Sequence, residues 1–197
     1  MENTIETIDY KGYKIGVWYD NISEYGDSDH LGKFYSNLRS WNPDKRDVDE
    51  AFEDGIFDRN SRVKEELIYI DVYAYIHSGI ALSTSRRGQF ADPFDSGLAG
   101  VMACTREDAR KWLGDNYTVE DVEKLLESEV EEMDAFCQGH VYGFTIYDED
   151  GNDFDSVCGF VGDMECCIND AKETIDNMLQ DEYQEQFTES MEYSEAE

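Results

Sequence analysis

Basic residues are scarce in this chain of 197 residues. Only 16 Lys and Arg stand against 47 Asp and Glu, so the formal net charge is −31. Such a charge repels phosphate groups, which disfavours direct binding to DNA, RNA or an anionic membrane. A protein with a basic surface or groove is the natural partner instead. Because surface charges are screened over about 8–10 Å near physiological salt, such an association is expected to depend on salt.

Long apolar runs and secretion signals are missing as well. No run of 18 apolar residues occurs, so we expect no membrane-spanning helix. The first residues, MENTIETIDYKGYK, lack the basic flank and the apolar region of a signal peptide. The five cysteines are odd in number and include no CxxC pair, which favours reduced thiols over a disulfide framework. These absences together predict a cytoplasmic protein.

Catalytic and metal-binding patterns are absent too. The three histidines, His30, His77 and His140, are far apart, and no HExxH or GxSxG pattern accompanies them. The acidic segment 148–155 has Gly151 in the fourth position and no Glu in the twelfth, so it does not fit an EF-hand loop. We interpret it as a hairpin turn. The sequence therefore predicts no catalytic residue, no metal and no cofactor, and the protein is expected not to be an enzyme.

Enough apolar residues are present to build a core: 40% of the chain is apolar and 13% aromatic. Alternation in residues 4–20 predicts two strands joined at Lys11-Gly12, and residues 66–77 predict a central strand covered on both faces. Residues 141–147 and 154–161 predict a hairpin around the acidic turn. The fold class we expect is α+β, a mostly antiparallel sheet with two acidic helices in the C-terminal half.

Helix signals are concentrated in the second half of the chain. Capping patterns at Thr105 and Thr118 predict a short helix to about Leu113 and a longer one to about Gln138. The apolar residues of the longer helix recur at helical spacing and are expected to be buried: Val119, Val122, Leu126, Val130, Met133 and Cys137. Asp163 can cap a final helix. We expect a single α+β domain over 1–180, in which 20–62 is irregular and loop-rich and the runs 31–38 and 48–57 are candidates for short helices. Residues 181–197 form an acidic extension that can continue the last helix.

Negative charge is concentrated toward the C-terminus, where residues 125–197 hold 22 Asp and Glu and a single Lys. In the longer helix, five carboxylates fall within about 80° of one another, along roughly 21 Å of helix. Duplex DNA carries one negative charge per about 1.7 Å of its axis, so the helix resembles a phosphate ladder. The predicted partner-binding surface adds acids of the hairpin turn and final helix, and comprises Glu120, Glu123, Glu127, Glu131, Asp134, Asp148, Glu149, Asp150, Asp153, Glu173 and Asp176.

Two stretches resemble a family of small acidic proteins encoded by phages and mobile elements. They are HSGIALSTSRRGQFADPFDSGLAGVMACTREDARKWLG (77–114) and VYGFTIYDEDGNDFDSVCGFVG (141–162), and the likeness covers about residues 65–162. The resemblance implies a setting more than an activity: the cytoplasm of a host cell, and a product the mobile element can do without. In that setting, very acidic small proteins are similar to DNA mimics that block restriction or CRISPR systems.

The leading hypothesis is an acidic, DNA-mimic-type inhibitor of a basic nucleic-acid-binding host defence protein, with no direct contact to nucleic acid or membrane. One alternative is a mobile-element enzyme or small-molecule-binding protein, with a pocket near His77–Ser85 and Asp95–Gly97. Another is a phage protein whose acidity serves solubility alone. The basic pair Arg86-Arg87 is expected to pair with nearby carboxylates. The oligomeric state stays open, with a homodimer among the alternatives.

Overall fold

The computed structural model describes residues 4–22, 25, 30–36, 38 and 67–195, without the side chains of 182 and 185–195. In this part of the chain every paired strand is antiparallel, which confirms the α+β expectation. The strands are β1 (Thr4–Tyr10), β2 (Tyr13–Tyr19), β3 (Lys33–Ser36), β4 (Leu67–Ile76), β5 (Ile80–Ser83), β6 (Ser96–Thr105), β7 (Val141–Tyr147) and β8 (Asp153–Val161). The α-helices are α1 (Arg106–Leu113), α2 (Val119–Cys137) and α3 (Met164–Glu195).

The described chain divides into two compact units. Unit 1 comprises Met1–Asn21 and His140–Glu197, and unit 2 is the intervening Ile22–Gly139. Each unit has its own four-stranded sheet, in the order β1-β2-β7-β8 for unit 1 and β3-β6-β4-β5 for unit 2. No Pro-rich or Ser-rich linker marks either crossing between the units, so composition gave no signal of the insertion.

Unit 1 has its sheet packed against α3. The turn between β1 and β2 places Lys11 and Gly12 at positive φ, 49° and 89°, as a tight hairpin turn with matching twist requires. β2 then pairs with β7, which follows it in the sequence only after the whole of unit 2. Asp163 begins α3 by accepting a 2.9 Å hydrogen bond from the amide of Glu165, as predicted. The core residues are Ile15, Val17, Tyr142, Phe144, Ile146, Cys167, Ala171 and Ile175.

Unit 2 has its sheet packed against α2. The strand β4 lies between β6 and β5, but only one of its faces is fully buried, through Ile68, Val72 and Ala74. On the other face Tyr69 is 42% exposed, so the prediction of a strand covered on both faces is wrong. Tyrosine contributes aromatic area and tolerates water at its hydroxyl, which made a one-sided strand look two-sided in sequence.

The described part of the segment before β4 contains a strand where a helix is predicted. Residues 31–38 were candidates for a helix, but Lys33–Ser36 forms β3 and pairs with β6. Phe34 and Tyr35, neighbours in sequence, are both buried on opposite faces of the sheet. Pairing with β6 therefore overrides the local preference. The other candidate, 48–57, lies outside the described residues.

Candidate functional site

The helix α2 begins with a complete capping box. The hydroxyl of Thr118 accepts a hydrogen bond of 3.1 Å from the backbone amide of Asp121. The Asp121 carboxylate accepts one of 2.9 Å from the backbone amide of Thr118. Hydrogen bonds from the Thr118 hydroxyl and amide lower the pKa of Asp121. A carboxylate in the first turn also stabilises the positive end of the helix dipole. The predicted start of the acidic helix is thus confirmed.

The carboxylates predicted along α2 differ in their surroundings. Glu120 is exposed and receives the ammonium of Lys124 at 2.8 Å. Glu127 and Glu131 are exposed and Glu123 is partly buried. Among the residues that the structure describes, none of these last three has a cation within ion-pair distance. Within the described part of the chain, three carboxylates at four-residue spacing therefore have no neutralising cation.

The opposite face of α2 packs on the sheet through Val122, Leu126, Val130 and Met133, as predicted. Val119 was predicted on this buried face, but it is 40% exposed in the first turn of the helix. That prediction is wrong. Glu129, which was not among the predicted buried residues, also lies on the buried face, seven residues after Val122.

Asp134, the fifth predicted carboxylate, has a structural role at the edge of the sheet. It accepts the amide of Leu82 in β5 at 2.6 Å and the side chain of Gln138 at 3.3 Å. Gln138 in turn donates to the carbonyl of Ile80 at 3.0 Å. The end of α2 thus satisfies outward-facing backbone groups of an edge strand, which protects that edge against pairing with other strands.

The predicted acids of the hairpin turn belong to unit 1. Asp148 accepts hydrogen bonds from the side chain and amide of Asn152, at 2.9 and 2.8 Å, and these bonds lower its pKa. Glu149, Asp150 and Asp153 are exposed. Asp148 therefore shapes the turn that presents its neighbours. Within the described residues, no group of three His, Cys, Asp or Glu is arranged to hold a metal ion.

The two predicted acids of α3 also differ from each other. Asp176 accepts the ammonium of Lys11 at 2.7 Å and the hydroxyl of Tyr10 at 3.1 Å, and the bond from Lys11 is the main cause of its lowered pKa. Glu173 is exposed. Asp176 ties α3 to the first hairpin of unit 1, so Glu173 is the freer of the two for a partner.

Glu129 forms a buried clamp between α2 and the segment before β3. Only 5% of this residue is exposed, and its two carboxylate oxygens accept the amides of Leu31 and Gly32 at 2.7 and 2.8 Å. Next to it, Nε2 of His30 lies 3.1 Å from the Tyr25 hydroxyl and 3.3 Å from the Glu132 carboxylate. The position of Glu129 on the apolar face of α2 was the sequence signal for this role.

Burial raises the pKa of Glu129 above its ordinary value of 4.5, although the two amide hydrogen bonds act in the opposite direction. A carboxyl group with a raised folded-state pKa contributes stability that is fully present below pH 4.5 and is lost as the pH rises through the folded value. We therefore expect the free energy of unfolding of the native protein, relative to that of Glu129→Gln, to decrease as the pH rises from 4.5 through the raised pKa of Glu129. Urea unfolding at a series of pH values measures the difference. A difference that is constant or increases with pH would contradict the expectation.

The loops proposed for a pocket do come together in unit 2. The amide of Ile76 donates to the carbonyl of Asp95 at 2.8 Å, and Nδ1 of His77 lies 3.1 Å from the Asp95 carboxylate. An open groove of about 400 Å³ lies beside Asp95–Gly97. Its lining is mostly apolar: Leu38, Ala74, Ile76, Phe94, Asp95, Ser96, Gly97 and Leu98. The segment His77–Ser85 contributes nothing to this lining.

Among the described residues, none of the helices combines the length and the apolar character needed to cross a membrane. In comparisons with family models, with curated proteins and with solved structures, the chain matches none.

Proposed function

We propose that this protein is an acidic inhibitor that occupies the nucleic-acid-binding groove of a host defence protein of the restriction or CRISPR kind. The observation that carries the proposal is the row Glu123, Glu127 and Glu131 on α2, which has no neutralising cation among the described residues. A groove lined with Lys and Arg for phosphates would supply the missing cations. The partner is a basic protein, and nucleic acid itself is not bound.

The spacing of this row suits a phosphate-binding groove. Residues four apart in a helix are separated by about 6 Å along its axis. Alternate phosphates on one DNA strand are separated by about 6.8 Å along the duplex axis. Three successive carboxylates thus follow every second phosphate of a strand closely enough for the same Lys and Arg side chains to reach them.

The row also destabilises the helix that carries it. Like charges four residues apart cost an isolated helix about 0.2–0.5 kcal/mol per pair. Lys at one of these positions would relieve the repulsion, as Lys124 does for Glu120. A sequence that keeps the uncompensated row gives up some stability there, which supports a role in binding for these carboxylates.

Unit 1 adds to the negative charge that attracts a basic partner. It holds 21 Asp and Glu against three Lys and Arg. Its exposed predicted acids are Glu149, Asp150 and Asp153 at the hairpin turn and Glu173 on α3. The high charge of both units favours fast, electrostatically steered association with a basic partner. The resemblance to phage and mobile-element proteins supports the host cytoplasm as the setting.

A two-step experiment tests this proposal. The protein is immobilised and incubated with host lysate at about 50 mM salt, and bound proteins are eluted up to about 200 mM salt and identified. Each captured protein is then loaded with a fluorescent DNA duplex, and this protein is added as competitor. We expect captured nucleic-acid-binding proteins to release the duplex. Captured proteins that keep their duplex at saturating competitor would refute the proposal.

A further inference from the structure

Phe94 is the most exposed large apolar side chain in the described part of the chain, at 91%. Its backbone is nevertheless held firmly. The Asp92 carboxylate accepts the amides of Phe94 and Asp95 at 2.8 and 2.9 Å, and the Ser96 hydroxyl donates to the carbonyl of Asp92. Asp95 is fixed in turn by the amide of Ile76. A rigid loop that presents an aromatic ring to water has the form of a preorganised binding anchor.

The groove described above lies directly beside this ring. Phe94 forms part of its lining, together with Ile76 and Leu98, which are 41% and 48% exposed. Ala74 and Leu38 complete its apolar surface. A projecting apolar side chain and an apolar recess therefore lie next to each other on the same surface of unit 2. An adjacent projection and recess is the arrangement that a two-fold symmetric contact needs, because each copy offers both parts.

Charge also favours a second copy of this chain as the occupant. The loop Ser85–Leu98 contains Arg86, Arg87, Asp92 and Asp95 and is formally neutral, in a chain of net charge −31. Arg86 and Arg87 were expected to pair with carboxylates, but both are exposed and have no carboxylate within ion-pair distance among the described residues. That expectation is wrong. Two copies can approach each other at a neutral patch with the least repulsion, whereas a basic partner would meet two arginines there.

We propose that this face is a homodimer interface, in which Phe94 of each copy inserts into the groove of the other. The contact is isologous, so Phe94, Ile76 and Leu98 are buried twice per dimer. The apolar area of three side chains falls short of the roughly 800 Å² per partner of a standard interface, so the dimer is a weak one that forms at high protein concentration. The proposal is independent of the inhibitor function and of the carboxylates on α2.

Sedimentation equilibrium over a range of protein concentrations tests the dimer. The native protein should associate more strongly at high salt, because salt screens the repulsion between two strongly negative copies. Phe94→Ser should raise the dissociation constant at least about a hundredfold, since each dimer loses two anchors. Because the side chain of Phe94 is almost fully exposed, this variant is expected to fold, which circular dichroism checks.

A matched control is Trp112→Ser, which removes another exposed aromatic side chain of unit 2, half-exposed on α1. It should dimerise like the native protein. A native protein that stays monomeric at the highest concentration reached would overturn the proposal. So would a Phe94→Ser variant that dimerises as well as the control, since another surface or another occupant of the groove would then be responsible.

Discussion

Replacing Glu129 with Ala is expected to lower the free energy of unfolding of unit 2 by about 4 kcal/mol. The side chain accepts two amides, those of Leu31 and Gly32, at a position where only 5% of Glu129 is exposed. Each buried donor left without an acceptor costs about 1–3 kcal/mol, and the removed carboxylate leaves a gap in the packing as well. The loss is large compared with the 5–15 kcal/mol that usually stabilises a domain.

The geometry around Gly32 shows how closely this backbone segment approaches α2. A side chain at Gly32 would place its Cβ 2.6 Å from the Glu129 oxygen and 2.6 Å from Leu126. The backbone can therefore approach α2 only because residue 32 has no side chain.

The control for this prediction is Glu127→Ala, two residues earlier in the same helix but exposed. Its effect should stay within about 0.5 kcal/mol, as is usual for surface substitutions. Chemical denaturation gives both values, and amide hydrogen exchange at Leu31 and Gly32 reports the clamp directly. Equal stability losses in the two variants would mean that the clamp does not hold α2 to the segment before β3.

The second large effect is expected from reversing charge along α2. The triple variant Glu123→Lys, Glu127→Lys and Glu131→Lys should lose at least about a hundredfold in affinity for the protein captured from host lysate, because each change replaces an attraction to a basic groove by a repulsion. The fold should persist, since Glu127 and Glu131 are exposed and Glu123 makes no ion pair in the described structure. Surface plasmon resonance at about 50 and 200 mM salt measures both the affinity and its salt dependence.

A second triple variant distinguishes the effect of net charge on affinity from the effect of the position of the charges on α2. The variant Glu6→Lys, Asp9→Lys and Asp71→Lys changes the net charge by the same amount at exposed positions outside α2. We expect it to retain most of the affinity and to lose some association rate. If both triple variants lose affinity equally, the overall charge of the protein, and not the row on α2, is responsible for binding.

Elements defined by local patterns were the ones that sequence predicted well. The hairpin at Lys11-Gly12, the capping box at Thr118 and the strand 141–147 each depend on residues within a few positions of one another. Predictions that depended on distant partners failed. Lys33–Ser36 is a strand because β6 lies beside it, and β4 is fully buried only on the face against which α2 packs.

The candidate site shows the same division. The periodicity of α2 predicted which carboxylates share a face, but it could not show that Asp134 is bound by Leu82, 52 residues earlier. It places Glu129 on the apolar face of the helix, but it could not identify the two amides that this carboxylate binds, which are 97 and 98 residues away. Helical periodicity places a carboxylate on a face, whereas its hydrogen-bond partner depends on tertiary structure.

The insertion of unit 2 between β2 and β7 has a consequence during synthesis on the ribosome. About 120 residues must be translated after β2 before its pairing partner β7 exists, which takes roughly 6 to 24 s at ordinary elongation rates. Until then β1 and β2 form an isolated hairpin, which is marginally stable in water, and Ile15 and Val17 lack the cover they have in the finished protein. Unit 2, whose strands and helices are contiguous in the chain, can fold during this interval. Residues 1–139 already hold 30 Asp and Glu against 15 Lys and Arg, so mutual repulsion between nascent chains reduces their aggregation before β7 is made.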